Sequence, residues 1–129
     1  MRFRLATLVL AALAFPLAAG ATAPLRVVFK TGTHTPKVNA VWPWSVTATS
    51  AGKPVAGTVT AVVIDPVGGV HAVEFGCCKT KFITNVRFKG TFRDYVRYPL
   101  ISKGYRVTFK VTVKTALGTK SVSTWVKAL

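Results

Sequence analysis

The stretch YRVTFKVTVKT, residues 105–115, alternates between apolar and polar side chains almost without fault. Tyr105, Val107, Phe109, Val111 and Val113 fall on one phase, and Arg106, Thr108, Lys110, Thr112 and Lys114 on the other. Successive side chains of a strand point to opposite faces of its sheet, so this run predicts an antiparallel strand with one face in a core and the other in water. The same period of two recurs at residues 57–65, 69–75, 82–90 and 119–129 downstream, and at 25–30 and 42–50 upstream. These segments are rich in β-branched and aromatic residues. AGKP at 51–54, DPVGG at 65–69 and ALGT at 116–119 supply the glycine and proline that chain reversals need. Past residue 21 no window sustains the 3.6-residue apolar period of a helix. Seven short strands in about a hundred residues predict an all-β fold, a single antiparallel Greek-key β-sandwich, with a small open barrel of the oligonucleotide-binding type as the alternative.

The chain begins MRFRLATLVLAALAFPLAAGATAP, with Arg2 and Arg4 ahead of an apolar run from Leu5 to Leu17. That is the pattern of a secretory signal peptide, and Ala19-Gly20-Ala21 fits the small-x-small cleavage rule. The expected division is therefore a signal peptide at 1–21 and one domain at 22–129, with the mature chain secreted or held at the envelope by non-covalent contacts. The apolar run is short for a membrane span, and no later stretch has membrane length, so no transmembrane segment is expected. The mature 108 residues leave room for one modest core and no second domain.

WPWSVTATSAGKPVAGTVTAVVID at 42–65 and LISKGYRVTFKVTVKTALGTKSVSTWVKAL at 100–129 resemble the secreted bacterial immunoglobulin-like and fibronectin type III-like modules. In those modules a GKPVAG-type turn joins the second and third strands. The resemblance covers Thr35 to Leu129 and implies an immunoglobulin-like sandwich in which Tyr105 would be similar to the tyrosine corner. Two features depart from it. The expected third strand has no tryptophan, and neither the second nor the sixth strand carries a cysteine for an inter-sheet bridge. Apolar packing must then hold the two sheets, with Trp42 or Trp44 at the centre. The resemblance implies little about activity, because such modules serve as adhesins, spacers and appendages to enzymes.

The two cysteines, Cys77 and Cys78, are adjacent in VEFGCCKTKF. Neighbouring α-carbons stand about 3.8 Å apart across a trans peptide, short of the usual disulfide range of roughly 4.4–6.8 Å, so a bridge between them would be strained and easily reduced. Besides this local redox element, the pair has three other uses: unpaired thiols, a link between two molecules, or metal ligands with His71 and Glu74. For metal the spacing is poor, since His71 and Glu74 point to opposite faces of a strand, and no metal site or cofactor is expected. Three acidic residues and two histidines are too few for paired-carboxylate or triad chemistry, and His34 lies in a polar loop, so no enzyme is expected.

Charge is the strongest functional signal. The mature chain keeps sixteen lysines and arginines against Asp65, Glu74 and Asp94, a formal +13, and residues 79–129 alone sum to +11. Alternation sets Arg106, Lys110 and Lys114 in an outward row on the sixth strand. Lys127, Lys120 and Trp125 of the seventh would extend it, while Arg87, Lys89 and Arg93 would face the exterior of the other sheet. The reading that follows is a non-catalytic binding or adhesion module that docks an anionic polymer or envelope surface through Arg106, Lys110, Lys114, Lys127 and Trp125. No specific nucleic acid partner is expected. The alternative is an assembly protein that associates through a sheet edge or a cysteine bridge, with a metal-binding envelope protein behind it. Because closing so small a ring removes little unfolded-state entropy, replacing both Cys77 and Cys78 by serine is expected to shift the melting temperature by only a few degrees. Loss of cooperative melting in that variant would make the pair a fold staple instead.

Overall fold

The computed structural model describes residues 23–76 and 85–129, which leaves the expected signal peptide and Cys77 and Cys78 outside the described residues. The described chain is all-β: β1 Arg26–Thr31, β2 Val41–Ser50, β3 Lys53–Pro54, β4 Ala56–Ile64, β5 Val70–Ala72, β6 Asn85–Lys89, β7 Thr91–Arg97, β8 Arg106–Thr115 and β9 Gly118–Lys127. A 3-10 turn, Leu100–Ser102, precedes β8. No helix among the described residues is long and apolar enough to cross a membrane. All strand pairs are antiparallel and fall into two sheets. In sheet 1, β2 lies between β1 on one side and β7 with β3 on the other. In sheet 2 the order is β5, β4, β8, β9, and β6 shares with β5 the outer side of β4.

The core forms where the inward phases of β2 and β8 meet. Trp42, Trp44, Val46 and Ala48 of β2 are buried, as are Val107, Phe109, Val111 and Val113 of β8. Phe109 stands edge-on to both tryptophans, with ring centroids 5.1 Å from Trp42 and 5.3 Å from Trp44, and stacks on Phe29 of β1 at 6.2 Å. Trp44 continues the cluster to Phe92 at 5.5 Å and Phe75 at 5.9 Å. The expectation that a tryptophan of the second strand fills the centre therefore holds for both. Tyr105 departs from the expected pattern. It precedes the first residue of β8 and is 59% exposed, while the buried tyrosine at this end is Tyr98. The alternating pattern runs one residue beyond the ladder, because the last rung of β8 and β9 pairs Arg106 with Lys127.

Pro43 sits inside β2 without breaking it. A proline removes one ladder donor, which a strand tolerates only where its neighbour ends. Here β1 stops at Thr31; the Gly32 N–H still donates to the Pro43 carbonyl at 2.8 Å, and the Gly32 carbonyl accepts the Thr31 hydroxyl at 3.1 Å.

Two segments leave one sheet for the other, side by side. β3 pairs with β2, but the chain reaches β4 through Val55, and β6 on β4 becomes β7 on β2 through Gly90. At the crossing, Ala48 N–H donates to Gly90 O, Gly90 N–H to Val55 O, and Val55 N–H to Ala48 O, at 2.8, 3.0 and 3.0 Å. Gly90 has φ +76°, and a Cβ there would come within 3.3 Å of the Pro54 ring, so the position suits glycine on both counts.

The two tryptophans differ in one respect that stability measurements can read. Trp42 Nε1 donates to Thr33 O at 2.7 Å, whereas Trp44 Nε1 is buried with no partner among the described residues. Both phenylalanine variants lose packing, but Trp44→Phe also removes an unpaired donor. It is expected to cost less than Trp42→Phe by roughly 1 kcal/mol in urea unfolding. An equal or larger loss for Trp44→Phe would show that volume alone decides.

Candidate functional site: the outer face of sheet 2

On β8 the outward phase presents Arg106, Lys110 and Lys114, with Thr108 and Thr112 between them. β9 runs beside it in a register that pairs Arg106 with Lys127, Thr108 with Trp125, and Lys114 with Thr119. Lys127 and Trp125 thus join the row. Lys120 does not: it pairs with Val113 on the inward phase, where the exposed end of β9 lets its charge reach water.

The larger correction concerns the other cluster. Arg87 and Lys89 lie on β6, which pairs with β4, not on a strand of sheet 1. Arg87 and Lys114 both face Thr58, from opposite sides of β4, which sets their backbones two strand spacings apart, roughly 10 Å. Arg87 and Lys89 therefore extend the β8 row. Only Arg93 goes to sheet 1, opposite Ser45. The outward positions of sheet 2 carry six cations, Arg87, Lys89, Arg106, Lys110, Lys114 and Lys127, and no carboxylate. Between them stand Thr58, Thr60, Thr112, Ser121 and Ser123, with Thr112 and Ser121 hydrogen-bonded at 2.9 Å.

Like charges placed directly opposite in a ladder repel. Arg106, opposite Lys127, has its guanidinium carbon 4.4 Å from the centroid of the Trp125 ring, a cation–π contact. Trp125 is 37% exposed, and its ring also stacks on His34 at 4.2 Å and 9°. The His34 Nδ1 lies 2.8 Å from the Trp125 carbonyl, and the Lys127 N–H donates to the His34 carbonyl at 2.8 Å. The loop that reads as a free polar segment is thus fastened along the end of β9. Trp125 is an organising contact for Arg106 rather than an unoccupied stacking platform.

His71 is also committed. Its Nε2 lies 2.9 Å from Asp65, whose carboxylate accepts the N–H groups of Val67 and Gly69 in the turn between β4 and β5. These bonds, the histidine first, hold the Asp65 carboxyl below its ordinary range. No cluster of three metal-ligating side chains occurs among the described residues.

The sequence signal that could have placed Arg87 and Lys89 was the glycine in FKGTF, since a glycine inside a strand run marks a bend or a change of partner. No protein-family model matches the chain, and no curated protein matches it. Among solved structures it is similar to a DUF4466 family protein from Parabacteroides merdae, with 14% identity, a TM-score of 0.49 and coverage of 81% of this chain and 44% of that one. It is also similar to Spo0M, a sporulation control protein from Bacillus subtilis, with 12% identity, a TM-score of 0.44 and coverage of 81% and 49%. The chain thus spans less than half the length of either protein, and likenesses this distant carry no weight for function.

A carboxyl held low in the fold stabilises it above the unfolded value, and that contribution is lost as pH falls through the folded value. Asp65→Asn, which keeps the shape and loses the charge, is expected to be less stable than wild type at pH 7. The gap should close as the pH drops below the ordinary carboxylate range, read as melting temperature against pH. A gap independent of pH would show that the Asp65 charge contributes nothing.

Proposed function

We propose that the chain is a secreted, non-catalytic binding module of the immunoglobulin-like or fibronectin type III-like kind. It docks an anionic polymer or envelope surface on the outer face of sheet 2. The strand order supports the first part: a four-stranded sheet, β1-β2-β7 with the short β3 also on β2, packs on a five-stranded one, β5-β4-β8-β9 with β6 also on β4, two antiparallel layers as in a sandwich of this kind. The observation that carries the second part is the sheet change at Gly90. It adds Arg87 and Lys89 to Arg106, Lys110, Lys114 and Lys127 on one face that holds no carboxylate. From Arg106 to Lys114 the row extends over roughly 27 Å, long enough to follow several charges of a linear polymer. Flanking hydroxyls offer hydrogen bonds to sugar or phosphate oxygens without adding charge.

A face of this kind binds by releasing the counterions of its partner, so affinity falls steeply with salt. Wild type is to be titrated against a teichoic-acid-like polymer, anionic lipid vesicles and DNA over a salt series, beside two sheet 2 variants, Arg106→Gln/Lys110→Gln/Lys114→Gln and Arg87→Gln/Lys89→Gln. Both variants are expected to bind more weakly to the same polymer and with a flatter salt slope, lower by up to about one unit for each charge removed. Lys30→Gln/Arg93→Gln on sheet 1 should leave the slope as in wild type. Equal, salt-insensitive binding by all four proteins would overturn this assignment.

A further inference from the structure

At the end of the sandwich where the turn after β4, the end of β7 and the 3-10 turn before β8 converge, a cleft of about 800 Å³ opens between the sheets. That is the size of a small-molecule site, for which roughly 300–1,000 Å³ is usual. Its walls are apolar, with Val63, Val73, Val96 and Val107 inside and Ile101 at the mouth. Ile101 is 84% exposed, and Tyr105, also on the lining, is 59% exposed.

Two features of composition single this cleft out. The chain has three tyrosines, and all of them, Tyr95, Tyr98 and Tyr105, line it. The chain has three carboxylates in a formal charge of +15, and Asp65 and Glu74 line it as well. The third, Asp94, accepts the backbone N–H of Gly76 in the cleft wall at 3.0 Å. No lysine lines the cleft, and the one arginine that does, Arg97, donates to the Asn39 carbonyl at 2.9 Å and lies 5.9 Å from the centroid of the Tyr95 ring. The protein's own guanidinium thus already uses an aromatic face here. Tyr98 is 4% exposed, and burial pushes its phenol up. Its hydroxyl has no hydrogen-bond partner among the described residues.

Tyrosine faces attract cations, and carboxylates beside an apolar wall attract them further. We propose that this cleft binds a small organic cation, an amine or quaternary ammonium on an apolar body. Its charge is balanced by Glu74, while Asp65 stays engaged by His71, also on the lining, at 2.9 Å; its carbon skeleton is packed on Val63, Val73 and Ile101. The site is separate from the basic face and of opposite preference, so it stands whether or not that face binds a polyanion.

One skeleton carrying three charges tests it. The protein is titrated by calorimetry and by NMR with 4-phenylbutylamine, 4-phenylbutan-1-ol and 4-phenylbutyrate. The amine is expected to bind about tenfold more tightly than the alcohol, with the acid weakest. Shifts should centre on Tyr105 and Ile101. Glu74→Gln, at an exposed position, should narrow the gap between amine and alcohol, and Tyr105→Ala should weaken the amine most. The Arg106→Gln/Lys110→Gln/Lys114→Gln variant should bind all three as wild type does. Binding of the acid at or above the amine, an amine-to-alcohol gap in Glu74→Gln as wide as in wild type, or no shift at millimolar amine would overturn the proposal.

Discussion

Ala48, Val55 and Gly90 close a ring in which each backbone N–H donates to the next carbonyl, and the two-sheet arrangement depends on that ring. Ala48 belongs to the central strand of sheet 1, and the other two are the residues at which the chain crosses to sheet 2 and back. Without the crossing at Val55, β3 and β4 would continue as one strand on β2. Without the crossing at Gly90, β6 and β7 would continue as one strand of sheet 1 and the cations of β6 would face the opposite exterior. A buried backbone donor left unpaired costs about as much as a lost hydrogen bond, so two crossings at one place satisfy each other where either alone would leave orphans.

What clamps the sheets is aromatic. Phe109 of sheet 2 touches Trp42, Trp44 and Phe29 of sheet 1, so a single side chain bridges the layers where some other two-sheet folds place a disulfide. Truncating a buried aromatic residue of this size typically removes about 3–5 kcal/mol, a large share of the roughly 5–15 kcal/mol by which a domain is stable. The core can therefore do without a covalent link between the sheets. It is also intolerant of loss at this one position.

The strong positive charge is not spread evenly, and the fold sorts it. Six cations gather on the outer face of sheet 2, where outward side chains are solvated and repulsion is screened beyond roughly 8 Å at physiological salt. The few carboxylates sit at the end of the sandwich, each engaged with or next to a turn or wall of the cleft: Asp65 in the β4–β5 turn, Asp94 on the Gly76 N–H, Glu74 on the lining. Under the two proposals, this division gives one molecule two surfaces of opposite preference. A uniform mixture of the same residues would offer neither.

The sequence by itself determined the faces of the strands it marked, but the described residues form nine strands where seven are expected: the two-residue β3 reads as turn, and β7, Thr91–Arg97, is not separated from the strand that ends at Gly90. The alternation in 106–115 places Phe109 inward and Lys110 outward whatever the strand pairs with, because the period of two is a property of the extended backbone. Turn residues set where strands stop, and DPVGG did so with an aspartate whose bonds to its own turn are local. Tyr105 was misplaced because alternation does not register where a ladder loses its partner. Which exterior Arg87 shares with Lys114, and which residues wall the cleft, were decided only by the tertiary structure. Both depend on a left-handed Gly90 and on contacts between segments dozens of residues apart. Periodicity along one strand fixes the face of a side chain but carries no information about the sheet to which that face belongs.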